Sequence, residues 1–412
     1  MADSRLSQII AVVVAILFGA ATYLALTEGM EALRGSDVVQ TTGPGNVPEF
    51  IYEAPNTVPT TADYGPVGPV AVVFAGPEVL TGLTGRLENP WVAVSSQTGA
   101  YRALSAPHSP EPSRDAMAVS PDGRMLAWGY DGGVVLYDPV EDQPVELEGL
   151  VDGSPFVGPF SPDGSRLLVY DGALHVLDVG TGEVLATLAG VDEAAARQAA
   201  WTPDGTALTY VAGDRLVTHD WQADRRTETP TTIAADATIA WQPAGKQLAA
   251  MRDERGVRTV EIFDVAAGGG LTLAGTAEED GYAQQELLGF TGDARVTVTA
   301  LTLETASIPL VFNLSTERAF PPTRVMQLPA SENAVGTLQV AADPLAEGSV
   351  EFDEPRWPAS DLAKLVASIL VTVFALGLYL TRRPRYRAMA EARARAKVEA
   401  RTERRQSRLG GR

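Results

Sequence analysis

Few residues of this chain have the type and spacing that catalysis or metal binding requires. The 412-residue sequence holds no cysteine and only three histidines, His108, His175 and His219. Thiol nucleophiles, thiolate zinc sites and disulfides are therefore excluded. The histidines stand singly at different positions of their segments, which is not the spacing of a metal site. We interpret His175 and His219 as residues packed in or beside a core, with metal ligation as the alternative.

Other patterns that would carry catalysis or cofactor binding are not found in the sequence. No Gly-x-Ser-x-Gly nucleophile elbow occurs, and no α/β segment follows that could carry one. Gly268-Gly269-Gly270 lies between apolar segments and predicts a plain loop rather than a phosphate-binding loop. We therefore expect no cofactor, no metal and no catalytic residue. Paired carboxylates remain an alternative in so acidic a chain.

The most regular polar residues belong to a repeated turn. Ser-Pro-Asp-Gly at 120–123 recurs at 161–164, as Thr-Pro-Asp-Gly at 202–205 and as Gln-Pro-Ala-Gly at 242–245. Proline suits the second position of a type I turn, and glycine suits the left-handed residue that closes it. The pattern favours turn chemistry, while calcium ligands or a partner-facing rim are the alternatives. The turn residues are Pro121, Asp122, Gly123, Pro162, Asp163, Gly164, Pro203, Asp204, Gly205, Pro243 and Gly245.

Two apolar segments follow each of these turns, and the second segment ends in an aspartate. A period of about 40 residues with three or four short strands is that of a β-propeller blade. Because one blade cannot bury both of its faces, successive blades must stack around an axis. The sequence predicts an all-β propeller of six blades, or seven if residues 331–352 pair with a strand near 70–76. The strand-end aspartates are Asp138, Asp178, Asp220 and Asp264.

One blade carries the full pattern: Ser161-Pro162-Asp163-Gly164, then the apolar run Leu174–Asp178, then Thr181-Gly182. This pattern resembles the WD-repeat-like blades of the TolB-type propeller family. The resemblance covers about residues 70–330 and implies the propeller fold. It implies little about function, because such blades serve many roles.

Two hydrophobic segments flank the repeat. Residues 9–26 are uncharged and residues 362–380 contain one lysine, and each segment is long enough to cross a hydrocarbon core of roughly 30 Å. A basic run follows the second segment, which predicts a stop-transfer signal with the tail in the cytoplasm. The propeller is then extracytoplasmic, and a cleaved signal peptide is the alternative for the first segment. The basic run contains Arg382, Arg383, Arg385 and Arg387.

Charge is divided unevenly along the chain. Residues 382–412 hold twelve Arg or Lys against three Glu, whereas the chain as a whole carries a net charge of −20. So acidic a main body disfavours nucleic-acid binding. The predicted parts are an anchor (1–30), a proline-rich linker (31–69), the propeller (70–342), an acidic linker (343–361), a transmembrane helix (362–381) and a basic tail (382–412).

From this organisation we expect a non-enzymatic scaffold of the bacterial cell envelope. Its expected partners are the lipid bilayer and an envelope protein, peptide or glycan, with no nucleic acid. One alternative is a lyase or hydrolase that uses carboxylates at the axial mouth of the propeller. Another is a sensor that signals through the second membrane helix and the basic tail.

Overall fold

The computed structural model of the chain describes the propeller region with short gaps and two stretches after it. The described residues are 45–357 with gaps, 366–374, 389 and 391–397. The gaps within 45–357 are 82–84, 89, 112, 114–115, 150–153, 255–256, 267–268, 278–281, 292–294, 303–308, 315–322, 330–336 and 356. Residues 37–358 form one compact unit. The stretches 366–374 and 391–397, which belong to a second unit, are helical.

Most of the described propeller is made of short strands. The first ten are β1 (Val47–Pro48), β2 (Val70–Ala75), β3 (Val79–Thr81), β4 (Gly85–Leu87), β5 (Trp91–Ser95), β6 (Tyr101–Ala103), β7 (Ala118–Val119), β8 (Leu126–Tyr130), β9 (Gly133–Asp138) and β10 (Gln143–Glu148). The next eight are β11 (Phe156–Phe160), β12 (Arg166–Tyr170), β13 (Leu174–Asp178), β14 (Val184–Leu188), β15 (Ala200–Trp201), β16 (Ala207–Ala212), β17 (Arg215–Asp220) and β18 (Arg225–Pro230).

The remaining ten strands complete the ring. They are β19 (Thr238–Trp241), β20 (Gln247–Glu254), β21 (Val257–Val265), β22 (Leu271–Ala277), β23 (Tyr282–Thr291), β24 (Arg295–Thr302), β25 (Pro309–Leu314), β26 (Thr323–Gln327), β27 (Gln339–Val340) and β28 (Ser349–Val350). Three short helices are α1 (Thr61–Tyr64), α2 (Glu193–Arg197) and α3 (Ala342–Glu347).

Twenty-four of these 28 strands form six four-stranded antiparallel sheets, which are the six blades of a propeller. The pairs β1–β28 and β3–β4 form two-stranded sheets. Blades 2 to 6 each use four successive strands: β7–β10, β11–β14, β15–β18, β19–β22 and β23–β26. First strands of neighbouring blades contact one another, so they lie nearest the axis. Blade 1 combines β2, β5 and β6 with β27, which comes from the far end of the domain.

Ring closure follows from the pairing of β27 with β2. Val340 lies opposite Val72 and Gln339 opposite Val73, so β27 supplies the innermost strand of blade 1. The prediction of six blades is confirmed. The seven-bladed alternative is wrong, because the pairing of this segment with the strand at 70–75 completes blade 1 instead of adding another blade.

Each blade buries both of its faces against its neighbours. Strand β9 is buried from Gly133 to Tyr137. Its Val135 and Tyr137 pack in a cluster with blade 1, whereas Val134 and Leu136 pack in a cluster with blade 3. This period-two division explains why blade strands read as continuous apolar runs. A fully buried side chain of this size contributes about 1.5–3 kcal/mol.

The described parts of both predicted linkers pack against the propeller. Val47, Ile51 and Val58, from the linker at 31–69, are buried in a cluster with residues of blades 1 and 6. In the second linker, α3 covers part of the same cluster through Leu345, and β28 pairs with β1 in parallel. Both stretches therefore contribute to the fold of the propeller unit.

The predicted membrane segments are described only in part. The first segment, with the anchor at 1–30, lies outside the described residues, and so do Arg382, Arg383, Arg385 and Arg387. Of the helix predicted at 362–381, the structure describes 366–374. Among the residues that the structure describes, no helix is long and apolar enough to cross a membrane.

Candidate functional site

Because the strands of each blade alternate in direction, their connections divide between two rims of the ring. The turns that join the first strand to the second, and the third to the fourth, lie at one rim, which we call the turn rim. The connections from the second strand to the third, and from one blade to the next, lie at the opposite rim, which we call the loop rim.

The aspartates of the repeated turn are occupied at the turn rim by the turns themselves. The Ser120 hydroxyl donates to Asp122 Oδ1 at 2.7 Å, and the Arg124 N–H donates to the same oxygen at 3.0 Å. The Ser120 oxygen in turn accepts the Met125 N–H at 2.9 Å. The turns at Asp163 and Asp204 repeat these bonds. Each carboxylate therefore organises its own hairpin.

Two of these carboxyls have lowered pKa values for the same reason. The hydrogen bond from the Thr202 hydroxyl, which outweighs burial, holds the pKa of Asp204 below its usual range. Burial acts to raise the pKa of Asp163, but hydrogen bonds from Ser161 and Ser165 outweigh it and lower the pKa. Both groups are therefore ionised acceptors at neutral pH.

The fourth copy of the turn shows that its carboxylate is dispensable. Ala244 stands where the other copies have aspartate. The Gly245 N–H still donates to the Gln242 carbonyl at 2.8 Å, and Gly245 keeps a φ of 69°, like Gly123. Proline and glycine therefore form this turn without the acid.

The strand-end aspartates also serve the backbone. Asp138 Oδ1 accepts the Val140 N–H at 2.7 Å, and Asp178 Oδ1 accepts the Thr181 N–H at 2.8 Å. Asp220 makes the equivalent bond. Asp264 differs, because it accepts a hydrogen bond from the Gln247 side chain. Three of the four aspartates thus close Asx-type turns at the ends of their strands.

Two further turn-rim residues were missed by the sequence analysis. Asp142 and Asp224 have left-handed backbones, with φ of 55° and 46°. Asp142 accepts a hydrogen bond from the Tyr137 hydroxyl, and Asp224 accepts one from His219 Nε2 at 2.9 Å. Both aspartates are the fourth residue after a strand-end aspartate, where blades 1 and 3 have Gly99 and Gly182. These hydrogen bonds compensate for the strain of a left-handed backbone without glycine.

His219 is a core residue, because it is fully buried and its one ring hydrogen bond goes to Asp224. His175 is half-buried near the loop rim, with Nε2 2.9 Å from Asp171 Oδ1 and Nδ1 3.0 Å from Thr187 Oγ1. An imidazole between a carboxylate and a hydroxyl can activate that hydroxyl as a nucleophile. The same bonds also tie the β12–β13 hairpin to the outer strand β14. No group of His, Asp or Glu in the described part of the chain has the arrangement of a metal site.

The loop rim of blades 2 to 4 carries partly exposed aromatic rings with cationic or imidazole partners. The His108 ring stacks on Tyr130 with centroids 4.3 Å apart, and the Arg197 guanidinium lies 4.6 Å from the centre of the Phe156 ring. Glu193 pairs with Arg197 at 2.8 Å. We call these five residues the loop-rim surface. Tyrosine and arginine are enriched in protein interfaces.

The connections around the loop-rim surface are acidic. In the described connections of blades 2 to 5, carboxylates surround a single arginine, Arg197. Asp192 caps helix α2 by accepting the Ala195 N–H at 2.8 Å, which fixes the position of Arg197. The acidic residues of these connections are Glu111, Asp131, Asp171, Asp192, Glu193, Asp214 and Asp236.

Comparison with known proteins gives structural likeness alone. Neither a scan of protein-family models nor a search of curated proteins finds a match to the sequence. Solved structures do match. A protein assigned as TolB from Agrobacterium tumefaciens is 14% identical over 55% of this chain and 87% of that chain, with a TM-score of 0.38.

Two other solved structures match at similar levels. The β-propeller domain of Cps50 (Swd1) from Myceliophteria thermophila is 15% identical over 59% of this chain and 81% of that chain, with a TM-score of 0.39. The hydrazine synthase of Kuenenia stuttgartiensis is 17% identical, with a TM-score of 0.41. That match covers 52% of this chain and 66% of the hydrazine synthase chain, just under two thirds of it. The six-bladed fold itself rests on the strand pairing described above.

Proposed function

We propose that this chain is a membrane-anchored, extracytoplasmic scaffold whose loop-rim surface binds a basic protein or peptide of the bacterial cell envelope, without enzymatic activity. The observation that carries the proposal is the position of the two ends of the propeller. Strands β1 and β28 pair side by side, with Val47 opposite Ser349. The two linkers therefore meet at one place on the ring, and the loop rim stays free.

The paths of the entry and exit segments support this arrangement. On the entry side, the Asn46 N–H donates to the carbonyl of Ser96, in a turn-rim connection of blade 1. On the exit side, Phe352 packs directly against Gly99 of the same connection. The Trp357 ring then meets Tyr101 edge-to-face at 5.3 Å. Entry and exit thus both lie against blade 1, which suits a domain held twice to one surface.

Membrane attachment is supported by the helical stretch at 366–374. Its Ile369, Leu370, Val373 and Phe374 side chains are 52–68% exposed. Large apolar side chains that are exposed along a helix are expected to face lipid. The arginine run that follows favours a cytoplasmic tail.

The character of the loop-rim surface supports the choice of partner. Carboxylates on the surrounding connections favour a partner with Lys or Arg, and they disfavour nucleic acid. Since His108 and Arg197 already lie against the aromatic rings of Tyr130 and Phe156, a basic protein or peptide suits the surface better than a stacked glycan. A hydrolase that uses Asp171, His175 and Thr187 is the second candidate, favoured by the hydrogen bonds between these side chains.

The test is photo-crosslinking in living cells. A benzophenone amino acid replaces Glu193, whose side chain is 60% exposed on the loop rim. The matched control places it at Glu141, which is exposed on the turn rim. We expect one discrete protein adduct at position 193 and none at position 141. Because the proposed binding is ionic, added salt should lower the yield of the adduct at position 193.

Other outcomes count against the proposal. Equal adducts at both positions would mean that the loop rim has no special role. No protein adduct at position 193, together with hydrolysis of ester substrates that Thr187→Val abolishes, would favour the hydrolase. A glycan adduct at position 193 would overturn the choice of partner but not that of the surface.

A further inference from the structure

The ring is closed by the pairing of β27, which follows blade 6 in the chain, with β2 of blade 1, and we call this closure the seam between blades 6 and 1. Other blades use strands that follow one another in the chain, whereas blade 1 receives the two-residue strand β27 from a distant segment. Two further bonds support β27: the Ala341 N–H donates to Ala71 O at 2.9 Å, and the Ala75 N–H donates to Thr337 Oγ1 at 2.8 Å. Strands β7 and β15 are equally short, but each is joined to its partner strand by a tight turn, so the unlinked β27 is expected to open before them.

One segment crosses this seam on the outside of the ring. We call residues 45–64 the clasp. At blade 6, the Ile51 N–H donates to Gln327 O at 2.8 Å, and the Gln327 N–H donates to Glu49 O at 2.9 Å. At blade 1, the Ala103 N–H donates to Pro59 O at 2.8 Å. The clasp thus pairs with the outer strands of both blades that meet at the seam.

Apolar side chains of the clasp are shared between the same two blades. Val47 and Ile51 are 0% and 5% exposed, within one cluster that includes Phe74 of blade 1 and Met326 of blade 6. Removing any of these clasp side chains would therefore loosen blade 1 and blade 6 together.

The outer strands of other blades are protected by their own sequence. Pro144 interrupts the edge of β10 and Pro230 ends β18. Strands β14 and β22 carry register shifts in their pairing, as does β26 of blade 6. Prolines and bulges of this kind discourage strand addition. At the seam, the clasp itself pairs with the edge strands of blades 1 and 6.

We propose that the clasp is a lock on the ring: while it is seated the seam stays closed, and when it lifts the ring opens between blades 6 and 1. Lifting of the clasp would leave the outer edges of β6 and β26 free to accept an extended segment from another chain. Strand β1 of the clasp also pairs with β28 of the exit strand, so both ends of the domain act on the same lock. The proposal rests on the described contacts alone and does not depend on the partner proposed above.

Hydrogen exchange of the full-length protein in detergent tests the lock. Ile51→Ala removes one buried clasp side chain, and Val211→Ala removes a comparable buried side chain in blade 4 as the control. We expect Ile51→Ala to accelerate exchange about tenfold or more in the peptides at 70–75, 323–327 and 339–341. The peptides at 207–220 should keep their wild-type rates. Val211→Ala should accelerate exchange in the peptides at 207–220 and leave the wild-type rates unchanged at 70–75, 323–327 and 339–341.

Two outcomes would overturn the lock. Faster exchange confined to residues 45–64, with unchanged rates at 339–341, would show that the seam closes without the clasp. A uniform increase over all six blades would show that the ring unfolds as one unit. Should Ile51→Ala fail to fold, the milder Ile51→Val must give the same pattern at smaller amplitude.

Discussion

Gly123→Ala is expected to lower the free energy of unfolding by about 3 kcal/mol, whereas Gly164→Ala costs about 1 kcal/mol. Both glycines close the same Ser-Pro-Asp-Gly turn, and both have a φ of 69°. They differ in surroundings. A Cβ at position 123 would lie 1.9 Å from the Val70 carbonyl oxygen, whereas one at position 164 would meet nothing within 4 Å.

The difference of about 2 kcal/mol has a physical origin in the contact between blades 1 and 2. The Val70 N–H donates to the Gly123 carbonyl at 2.8 Å, so a side chain at position 123 must push β2 away and weaken that bond. At position 164 the cost is the left-handed strain, less the entropy that alanine saves in the unfolded chain. Urea unfolding of both variants checks the prediction. Equal losses of unfolding free energy in the two variants would mean that the contact of the blade 2 turn with Val70 does not stabilise blade 1.

The second prediction concerns the buried His219. Asp224→Gly is expected to destabilise the protein by about 1–2 kcal/mol, although glycine suits the left-handed backbone at that position better. The loss arises because the Nε2–H of a fully buried imidazole is left without an acceptor. Glycine's relief of strain offsets only part of this cost.

A double variant should reverse the loss. His219→Leu with Asp224→Gly reproduces the pairing of blade 3, where Leu177 occupies the equivalent strand position and Gly182 the turn. We expect this variant to match or exceed the wild-type free energy of unfolding, which gives a coupling of about 1–2 kcal/mol in a double-mutant cycle. Additive effects of the two substitutions would show that the hydrogen bond does not compensate for the backbone strain.

The ring was predictable because its turns use residues with strong backbone preferences. Pro162 and Gly164 place a hairpin at the same point of their blade as Pro121 and Gly123 do in the preceding blade, and the apolar runs between turns give the strands. The sequence also contained the signal for Asp142 and Asp224. Each stands four residues after a strand-end aspartate, where a glycine stands in blade 3.

The clasp was not predictable in the same way. Prolines indicate extended backbone, and extended backbone serves a free tether and an edge-covering strand equally well. The buried Val47, Ile51 and Val58 are four and seven residues apart, which is a helical spacing. Because Pro48 and Pro55 disfavour a helix, that spacing does not distinguish burial from exposure. The loop-rim surface was hidden for another reason. Its His108 lies on the connection from β6 to β7 whereas Tyr130 ends strand β8, and only the folded ring brings them together.

Cysteine accessibility in intact cells tests most directly whether the propeller is extracytoplasmic and anchored at the membrane. The chain contains no cysteine, so each introduced thiol reports one position. Asp214→Cys lies on the loop rim, where the Asp214 side chain is 89% exposed, and Ser407→Cys lies in the basic tail. A membrane-impermeant maleimide should label position 214 in intact cells, and position 407 only after permeabilisation. Labelling of position 407 in intact cells, or protection of position 214, would contradict the account.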